Sequence, residues 1–410
     1  MKYLTTLAVL LATTSLASAA SQQDNESFIL QAGKKNSAIV AQKNGNNGQA
    51  TLQIGKGNQA VTAQAAQKKS GSDTNNSGTL QIGTNNSAVT AQTGGNNVQG
   101  TLQVGNNNTA LTMQSNTSAN TNKSTTSQLG NNNTSIAVQS QGDNNQNTLQ
   151  LDNKNEAITL QNNGAKGGTN NSTTVEAGVN NTALTAQETA GAKSGKGGDN
   201  DSDTLQFGRK DVAVTAQNAT GTASAGGVEN AAATLQVGNK DFALTAQGGT
   251  RDGKAADQTT NDSFVGQFGN GNTALAGQKN GNNDQAAIQI GNNNTALTAQ
   301  KTADAGGTGT NGSLTMQTGN GNLGLTRQTV ANPVSTANGS LLAQVGKNNT
   351  ALASQGETGI QPMIGANLQA TVQVGNGNSS ITTQTASASV SNTSVTAQFG
   401  SHNVAVVSQR

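Results

Sequence analysis

The chain repeats one polar motif fifteen times, and within each copy the motif has the two-residue period of a β-strand. In the stretch "NVQGTLQVGNNNTALTMQ" (97–114), residues 97–103 and 108–114 each place Asn, Gln, Thr or a small side chain at every second position. Side chains two residues apart share one face of a strand. Each copy therefore predicts two short strands, and each strand has one predominantly polar face.

The unit is defined by fixed positions around the Gln of "LQVG", Gln103, which we take as its origin. Asn lies six residues before the origin and Gln eleven after it in every unit, whereas Gly, Asn and Ala lie two, five and seven after it with few exceptions. In three representative units these positions, predicted to stack as structural ladders, are Asn47, Gln53, Gly55, Asn58, Ala60, Gln64, Asn97, Gln103, Gly105, Asn108, Ala110, Gln114, Asn283, Gln289, Gly291, Asn294, Ala296 and Gln300. The Gly and Asn between the half-units tolerate left-handed backbone, so they predict a short arc between two strands.

Acidic residues replace this pattern at four places. Glu176 stands at an origin, Asp152 stands for the arc Gly, and Asp211 and Asp241 stand for the arc Asn. Because Asp is a common turn former, we interpret the three aspartates as turn residues.

The distance between origins varies, and all of the variation follows the second Gln of the unit. It is 22 residues between Gln31 and Gln53 (53 − 31) and 31 between Gln236 and Gln267 (267 − 236). The extra residues form polar, Gly-rich inserts, which a solenoid tolerates at one corner because its rungs must still stack. The pattern predicts an all-β, amyloid-like β-solenoid of strand–turn–strand (β-arch) rungs in two parallel sheets.

We expect a single solenoid domain over residues 21–410. Its fifteen repeats are predicted at about 25–42, 47–64, 75–92, 97–114, 122–139, 144–161, 170–187, 200–217, 230–247, 261–278, 283–300, 311–328, 338–355, 367–384 and 392–409.

The first twenty residues read as a secretory signal peptide. Lys2 precedes an apolar run, and small residues at Ala17–Ala19 provide a cleavage site. The run is too short to span a membrane. We therefore expect a secreted chain that is not embedded in the membrane.

Composition argues against an enzyme. Only 31% of the residues are apolar and 2% aromatic, so the chain lacks the bulky side chains of an ordinary core, and no cysteine is present to form disulfides. The net charge of +2 is scattered, which makes nucleic acid a poor partner. His402 is the sole histidine and is interpreted as a solvated turn residue. No catalytic residue, metal site or cofactor is predicted.

Two orientations of the strands are possible. Hydrophobicity would bury Leu52, Ile54 and Val61 with their counterparts. The narrow size range on the Asn/Gln/Thr side instead favours a polar interior, in which each amide bonds to its equivalent in the next rung. We favour the polar interior, which leaves an aliphatic stripe outside, eight residues after each origin, as a surface for sideways association.

The unit "LQIGKGNQAVTAQ" (52–64), with its Q-x-G-x-x-N-x-A-x-x-x-Q spacing, resembles the curlin repeat of curli fibre subunits, and the resemblance covers nearly the whole mature chain. It implies a structural subunit, here a long variant, of extracellular cell-surface amyloid fibres that serve biofilm matrix, adhesion and aggregation. It also implies a nucleator subunit, an outer-membrane secretion pore and accessory chaperones as partners.

The first and last units are predicted to be polymerisation ends through which the chain forms a head-to-tail homopolymer. Their ladder positions are Asn25, Gln31, Gln42, Asn392, Gln398 and Gln409. Open strand edges template further strands. The alternative is a monomeric secreted β-solenoid that acts as an adhesin or ice-binding protein.

Overall fold

The computed structural model describes residues 25–66, 74–116, 120–164, 168–191, 198–221, 228–251, 259–302, 309–330, 337–357, 365–386 and 391–410. The proposed signal peptide and most of the inserts after the second Gln lie outside these residues. The chain divides into two compact units, Met1–Gly164 with Thr169–Leu184, and Ala165–Gly168 with Thr185–Arg410.

All regular structure in the described residues is β-strand, so the predicted all-β class is confirmed. The first unit contains β1 (Asn25–Lys34), β2 (Ser37–Lys43), β3 (Asn46–Lys56), β4 (Gln59–Ala65), β5 (Thr74–Thr84), β6 (Ser87–Thr93), β7 (Asn96–Asn106), β8 (Thr109–Ser115), β9 (Thr121–Asn131), β10 (Thr134–Ser140), β11 (Asp143–Asn153), β12 (Glu156–Asn163), β13 (Thr169–Val179) and the beginning of β14 (Thr182–Gly191).

The second unit continues with the rest of β14 and with strands β15 to β30. These are β15 (Asp199–Arg209), β16 (Val212–Gly221), β17 (Val228–Asn239), β18 (Phe242–Arg251), β19 (Thr259–Asn270), β20 (Thr273–Lys279), β21 (Asn282–Asn292), β22 (Thr295–Thr302), β23 (Thr310–Asn320), β24 (Leu323–Val330), β25 (Ala337–Lys347), β26 (Thr350–Glu357), β27 (Ala366–Asn376), β28 (Ser379–Ala386), β29 (Asn392–Ser401) and β30 (Val404–Gln409).

An odd-numbered strand and the even-numbered strand after it form one rung. Within each unit the odd strands pair with one another in parallel to make one sheet, and the even strands make a second. Pairing joins equivalent residues of successive rungs, as in Gln81 with Gln103 and Gln92 with Gln114. This is the predicted β-solenoid with two parallel sheets, and it places identical side chains about 4.8 Å apart.

The arcs owe their shape to two positions with positive φ. Gly105, two residues after its origin, has φ +125, and Asn107, four after it, has φ +55. A Cβ on Gly105 would lie 1.9 Å from the carbonyl oxygen of Gly130 in the next rung, so this arc geometry requires glycine.

The arc Asn is therefore not the left-handed residue that the sequence suggested. That conformation belongs to the preceding position, where Lys35, Lys154 and His402 also adopt φ of 58 to 59. Since the preceding residue makes the turn, the side chain of the arc Asn is free to point inward.

The interior between the two sheets is polar, as predicted. Gln53, Gln103 and Gln150 are fully buried, together with most of the inward Asn, Thr and Ser side chains. Apolar contacts in the interior are small. One cluster joins Leu342 to Ala351 and Ala353, where a large residue on one sheet meets small residues on the other.

Candidate functional site

Two columns of hydrogen-bonded glutamine side chains run through the interior. In the origin column Gln81 Nε2 donates to Gln103 Oε1 at 2.8 Å, and Gln103 Nε2 donates to Gln128 Oε1 at 2.8 Å. The distal column, eleven residues after the origin, repeats this arrangement from Gln92 to Gln114 at 2.8 Å. In both columns the donor points towards the rung that follows in sequence.

The second N–H of each glutamine amide connects the two sheets. Gln103 Nε2 donates to the backbone carbonyl of Ser87 at 2.9 Å, and Gln114 Nε2 donates to that of Val98 at 3.0 Å. Each carbonyl belongs to a strand of the facing sheet. A glutamine at these positions therefore bonds along its column and across the interior, which satisfies its buried amide.

The leading Asn column, six residues before the origin, runs in the opposite direction. Asn97 Nδ2 donates back to Asn75 Oδ1 at 2.7 Å, and Asn75 Nδ2 donates back to Asn47 Oδ1 at 2.9 Å. The amide of Asn97 also donates to the carbonyl of Gly94 at 2.6 Å. The leading Asn thus closes the corner that precedes its own rung.

The arc Asn column, five residues after the origin, ties each arc to the next. Asn86 Oδ1 accepts the backbone N–H of Asn108 at 3.1 Å. Its Nδ2 donates to Ile82 O in its own rung at 3.3 Å and to Gly105 O in the next at 2.9 Å. This side chain uses both an acceptor and a donor, and both are buried.

The structure places the predicted ladder residues in these columns. Their Asn, Gln and Ala members are buried, namely Asn47, Gln53, Asn58, Ala60, Gln64, Asn97, Gln103, Asn108, Ala110, Gln114, Asn283, Gln289, Asn294, Ala296 and Gln300. The glycines Gly55, Gly105 and Gly291 lie partly exposed in the arcs with φ of 122 to 125. The alanines leave room for the larger side chains that face them.

One interior column follows a rule that the single-rung motif does not express. Four residues before the origin, a glutamine always follows a serine in the preceding rung, as in Ser77 and Gln99 or Ser124 and Gln146. The serine hydroxyl donates to the glutamine Oε1, at 2.8 Å and 2.7 Å in these pairs. The short side chain thus leaves room for the long one. Comparing adjacent rungs in the sequence would reveal this pairing.

The glutamine of such a pair also needs a threonine two residues later. Gln99 Nε2 donates to Thr101 Oγ1, and Gln369 Nε2 donates to Thr371 Oγ1. In one rung the threonine is replaced by Ala287, and Gln285 Nε2 then has no partner among the described residues.

Three acidic side chains are buried in the ladders. Glu176 takes the place of an origin glutamine, and its Oε2 accepts from Gln150 Nε2 at 2.7 Å. Burial raises the pKa of Glu176 well above its usual value, and the nearby Glu156 adds to this. Asp211 and Asp241, which we had interpreted as turn residues, are fully buried arc positions, whereas Asp152 is exposed in its arc.

The two arc aspartates keep the acceptor of the Asn column. Asp211 Oδ1 accepts the backbone N–H of Asp241 at 3.1 Å, and Asp241 Oδ1 accepts that of Asn272 at 2.8 Å. Desolvation raises the pKa of Asp211 to about 7, and the neighbouring Asp241 carboxylate contributes. Desolvation likewise raises the pKa of Asp241 to about 6.

The predicted polymerisation ends form the outermost described rungs. In the first rung Asn25 and Gln31 are exposed and Gln42 is half-buried. Gln31 and Gln42 donate to Gln53 and Gln64, at 2.6 Å and 2.9 Å, so the Oε1 atoms of the first rung face outward.

The last rung presents the complementary groups. Gln409 Nε2 donates to Thr393 O, and Gln398 Nε2 donates to Ser379 O, each at 2.9 Å. Each of these amides therefore has a second N–H for a further rung. Asn392 donates back to Asn367 Oδ1 at 3.0 Å, which leaves its own Oδ1 directed outward.

The aliphatic stripe of the even sheet lies outside, as expected for a polar interior. Its members at the chain's two ends, Ile39 and Val406, are 58% and 68% exposed, and those in the middle rungs are mostly half-buried by their neighbours along the column. A regular apolar column on the outside of a sheet is a surface suited to contact with another molecule.

These features define a class of protein, a β-solenoid whose interior consists of hydrogen-bonded amide columns. His402 is exposed in the last arc, and no group of three or more metal-binding side chains occurs in the part of the chain that the structure describes. Within the same residues no helix is long and apolar enough to cross a membrane. No model of a known protein family matches the chain. A search of curated proteins gave no significant match either.

Proposed function

We propose that the chain is a structural subunit of a curli-like extracellular amyloid fibre and that it grows by end-on stacking. The chemistry of the first and last rungs carries the proposal. Gln31 and Gln42 present acceptors at one end, and Gln398 and Gln409 present donors at the other.

The directions of the columns favour head-to-tail contact. If the last rung of one chain meets the first rung of another, both glutamine columns continue with donor against acceptor. The leading Asn column also continues, because it donates towards the preceding rung at both ends. Asn25 Nδ2 of one chain would then donate to Asn392 Oδ1 of the other. A head-to-head contact would place acceptor against acceptor in both glutamine columns, which would leave buried groups unsatisfied.

The strand edges support the same geometry. All residues of β1 are exposed, and β1 and β30 are the outermost strands of their sheets in the described residues. Such edges template a new strand. Because stacking is a translation along the rungs, it yields open filaments rather than closed rings.

Export, the nucleator subunit, the outer-membrane pore and its chaperones belong to the proposal through the curlin resemblance and the signal-like N-terminus. Biofilm matrix, adhesion and aggregation are the roles it assigns to the fibre. The exported protein should begin near Ala20 or Ser21, which N-terminal sequencing of extracellular material would establish. An intact Met1 on that material would contradict export by this route.

Seeded growth of the mature chain tests the assembly. Preformed fibres should abolish the lag, and fibre diffraction should show a spacing of about 4.7–4.8 Å along the axis. A chain that stays monomeric for days at high concentration, with or without seeds, would overturn the amyloid proposal and favour the monomeric adhesin or ice-binding alternative.

Chain terminators test the direction of growth. A double variant Gln31→Leu, Gln42→Leu can still add through its intact last rung but then presents a first rung without the glutamine acceptors. Added in small amounts to wild-type chain, it should slow elongation. Gln59→Leu, which changes an exposed glutamine of β4, is the matched control and should not slow it. Equal effects would contradict end-on growth through the amide columns.

A further inference from the structure

Asp211 and Asp241 leave the arc Asn column incomplete in two successive rungs of the second unit. An arc Asn has an acceptor that bonds to the next rung's N–H and a donor that bonds to backbone carbonyls, as Asn294 does to Gly319 O at 2.9 Å. The two aspartates keep the acceptor, but an ionised carboxylate has no donor.

The second oxygen of Asp241 shows the consequence. Asp241 is fully buried, and its Oδ2 has no hydrogen-bond partner in the described part of the chain. This oxygen lies over the arc glycine of its own rung, 2.7 Å from the position that a Cβ of Gly238 would occupy. Asp211 Oδ2 stands at the same distance over Gly208.

The arc backbone also differs in these two rungs. Gly208 has φ +158 and Gly238 lies outside the left-handed region, whereas the other described arc glycines have φ between +103 and +138. The arcs that carry these two carboxyl groups thus depart from the shared arc geometry at the glycine. In other arcs the carbonyl of this glycine accepts a hydrogen bond from the arc Asn of the preceding rung.

The cationic side chains of these two arcs are exposed. Arg209, Lys210 and Lys240 lie in the same two arcs, and all three side chains are exposed. On the following rung Asn272, which is uncharged, faces Asp241 and donates its backbone N–H to Oδ1. The neighbouring Asp241 carboxylate adds to the raised pKa of Asp211, after the larger effect of desolvation.

We propose that Asp211 and Asp241 form a pH-sensitive switch in which protonation completes the arc Asn column and ionisation opens it. A protonated carboxyl group has one acceptor oxygen and one O–H donor, so it matches the bonding pattern of the Asn amide. At mildly acidic pH the Oδ2 hydroxyls can donate to the carbonyls that Asn Nδ2 reaches in other rungs. At higher pH two buried like charges occupy adjacent rungs.

The raised pKa values of the two carboxyl groups, about 7 and about 6, set the direction in which stability changes with pH. A folded-state pKa above the unfolded value of about 3.9 means that the folded form binds the proton more tightly. The stabilisation is fully present below about pH 4 and is lost as the pH rises through about 6 to 7. Acid should therefore stabilise these rungs.

Hydrogen exchange of the full mature chain tests this without fibres, by following peptides within 198–221 and 228–251 at pH 5 and pH 8. After correction for intrinsic exchange, the equilibrium constant for local opening of these wild-type segments should be at least about tenfold smaller at pH 5 than at pH 8. In the double variant Asp211→Asn, Asp241→Asn these peptides should be protected to a similar degree at both pH values. Both substitutions introduce the residue found in the other arcs, so the variant is expected to fold.

The matched control is Glu188→Gln, Glu229→Gln, which removes the same charge from exposed positions of the second unit. It should keep the wild-type pH response. A double Asn variant whose peptides respond to pH as strongly as wild type would overturn the switch. Protection at pH 8 that calcium restores in wild type but not in the Asn variant would also overturn it, because a cation rather than a proton would then complete the column.

The effect on fibre growth rests on the proposed function and is measured separately. Seeded elongation of wild type should be faster at pH 5 than at pH 8, and the Asn variant should elongate at similar rates at both. If exchange responds to pH but no fibres form, the switch stands and the fibre proposal fails. If fibres grow but the exchange of the two segments ignores pH, the switch fails and the fibre proposal stands.

Discussion

Replacing one ladder glutamine by leucine should destabilise the first unit far more than the same change on its outer face. Gln103 is fully buried and takes part in three hydrogen bonds, with Gln81 Nε2, Gln128 Oε1 and the carbonyl of Ser87. Gln103→Leu removes all three. It leaves Gln128 Oε1 without its ladder donor and one N–H of Gln81 without an acceptor.

The size of the effect follows from those two orphaned groups. Each buried polar group without a partner costs about 1 to 3 kcal/mol, or about 2 to 6 kcal/mol for both. Burial of the leucine side chain offsets up to about 2 kcal/mol of this. With the full offset, the expected net loss in the free energy of unfolding is up to about 4 kcal/mol, with a midpoint of about 2 kcal/mol.

Urea unfolding of the monomeric mature chain, followed by far-ultraviolet circular dichroism, measures the loss. Because each rung contacts only its neighbours, the shift should appear in the transition of the first unit. Gln59→Leu is the control, since the Gln59 side chain is exposed on β4, and its effect should stay within about 0.5 kcal/mol. Equal midpoints for the two variants would refute the view that buried amide columns stabilise the fold.

Three further substitutions probe the arc, the polar interior and the buried glutamine that lacks its threonine partner, all by the same unfolding assay. Gly105→Ala should cost more than about 3 kcal/mol because its Cβ would overlap a carbonyl of the next rung, whereas Gly100→Ala, which has open space, should be nearly neutral; similar losses would contradict the arc geometry. Thr112→Lys should cost at least about 3 kcal/mol by burying a charge, whereas exposed Thr109 should accept lysine, and comparable losses would argue against the polar interior. Ala287→Thr should stabilise the second unit by about 0.5 to 1.5 kcal/mol, because it supplies the acceptor that the inward glutamine of its strand lacks; a loss of stability would show that the site has no room.

The arcs show how far local reasoning reaches. The Gly two residues after the origin was expected to have an unusual backbone conformation, and it does. The arc Asn was expected to share this role, but the left-handed residue is the one before it, even where that residue is Lys35 or His402. Residue preference could not identify the position, because stacking requires the Asn side chain inside and imposes the turn on its neighbour.

The acidic replacements illustrate the same limit. Asp152 and Asp211 both stand in arcs, and sequence alone gives them one interpretation. In the structure the first is exposed and the second fully buried, because the Gly position lies at the surface of the arc and the Asn position faces the interior. A raised pKa at Asp211 depends on that burial, which no residue preference encodes.

By itself, the sequence determined the strand period, the strand–arc–strand unit and the corner at which inserts are allowed, because these follow from spacings repeated along the chain. It also favoured the polar interior, since only stacked identical amides can satisfy one another away from water. The tertiary structure decided the direction of each column, the cross-sheet bonds such as Gln103 to Ser87, and the pairing of a short serine with a long glutamine in the next rung. These depend on which atoms meet across about 4.8 Å between rungs and across the facing sheets, and residues that meet there are far apart along the chain.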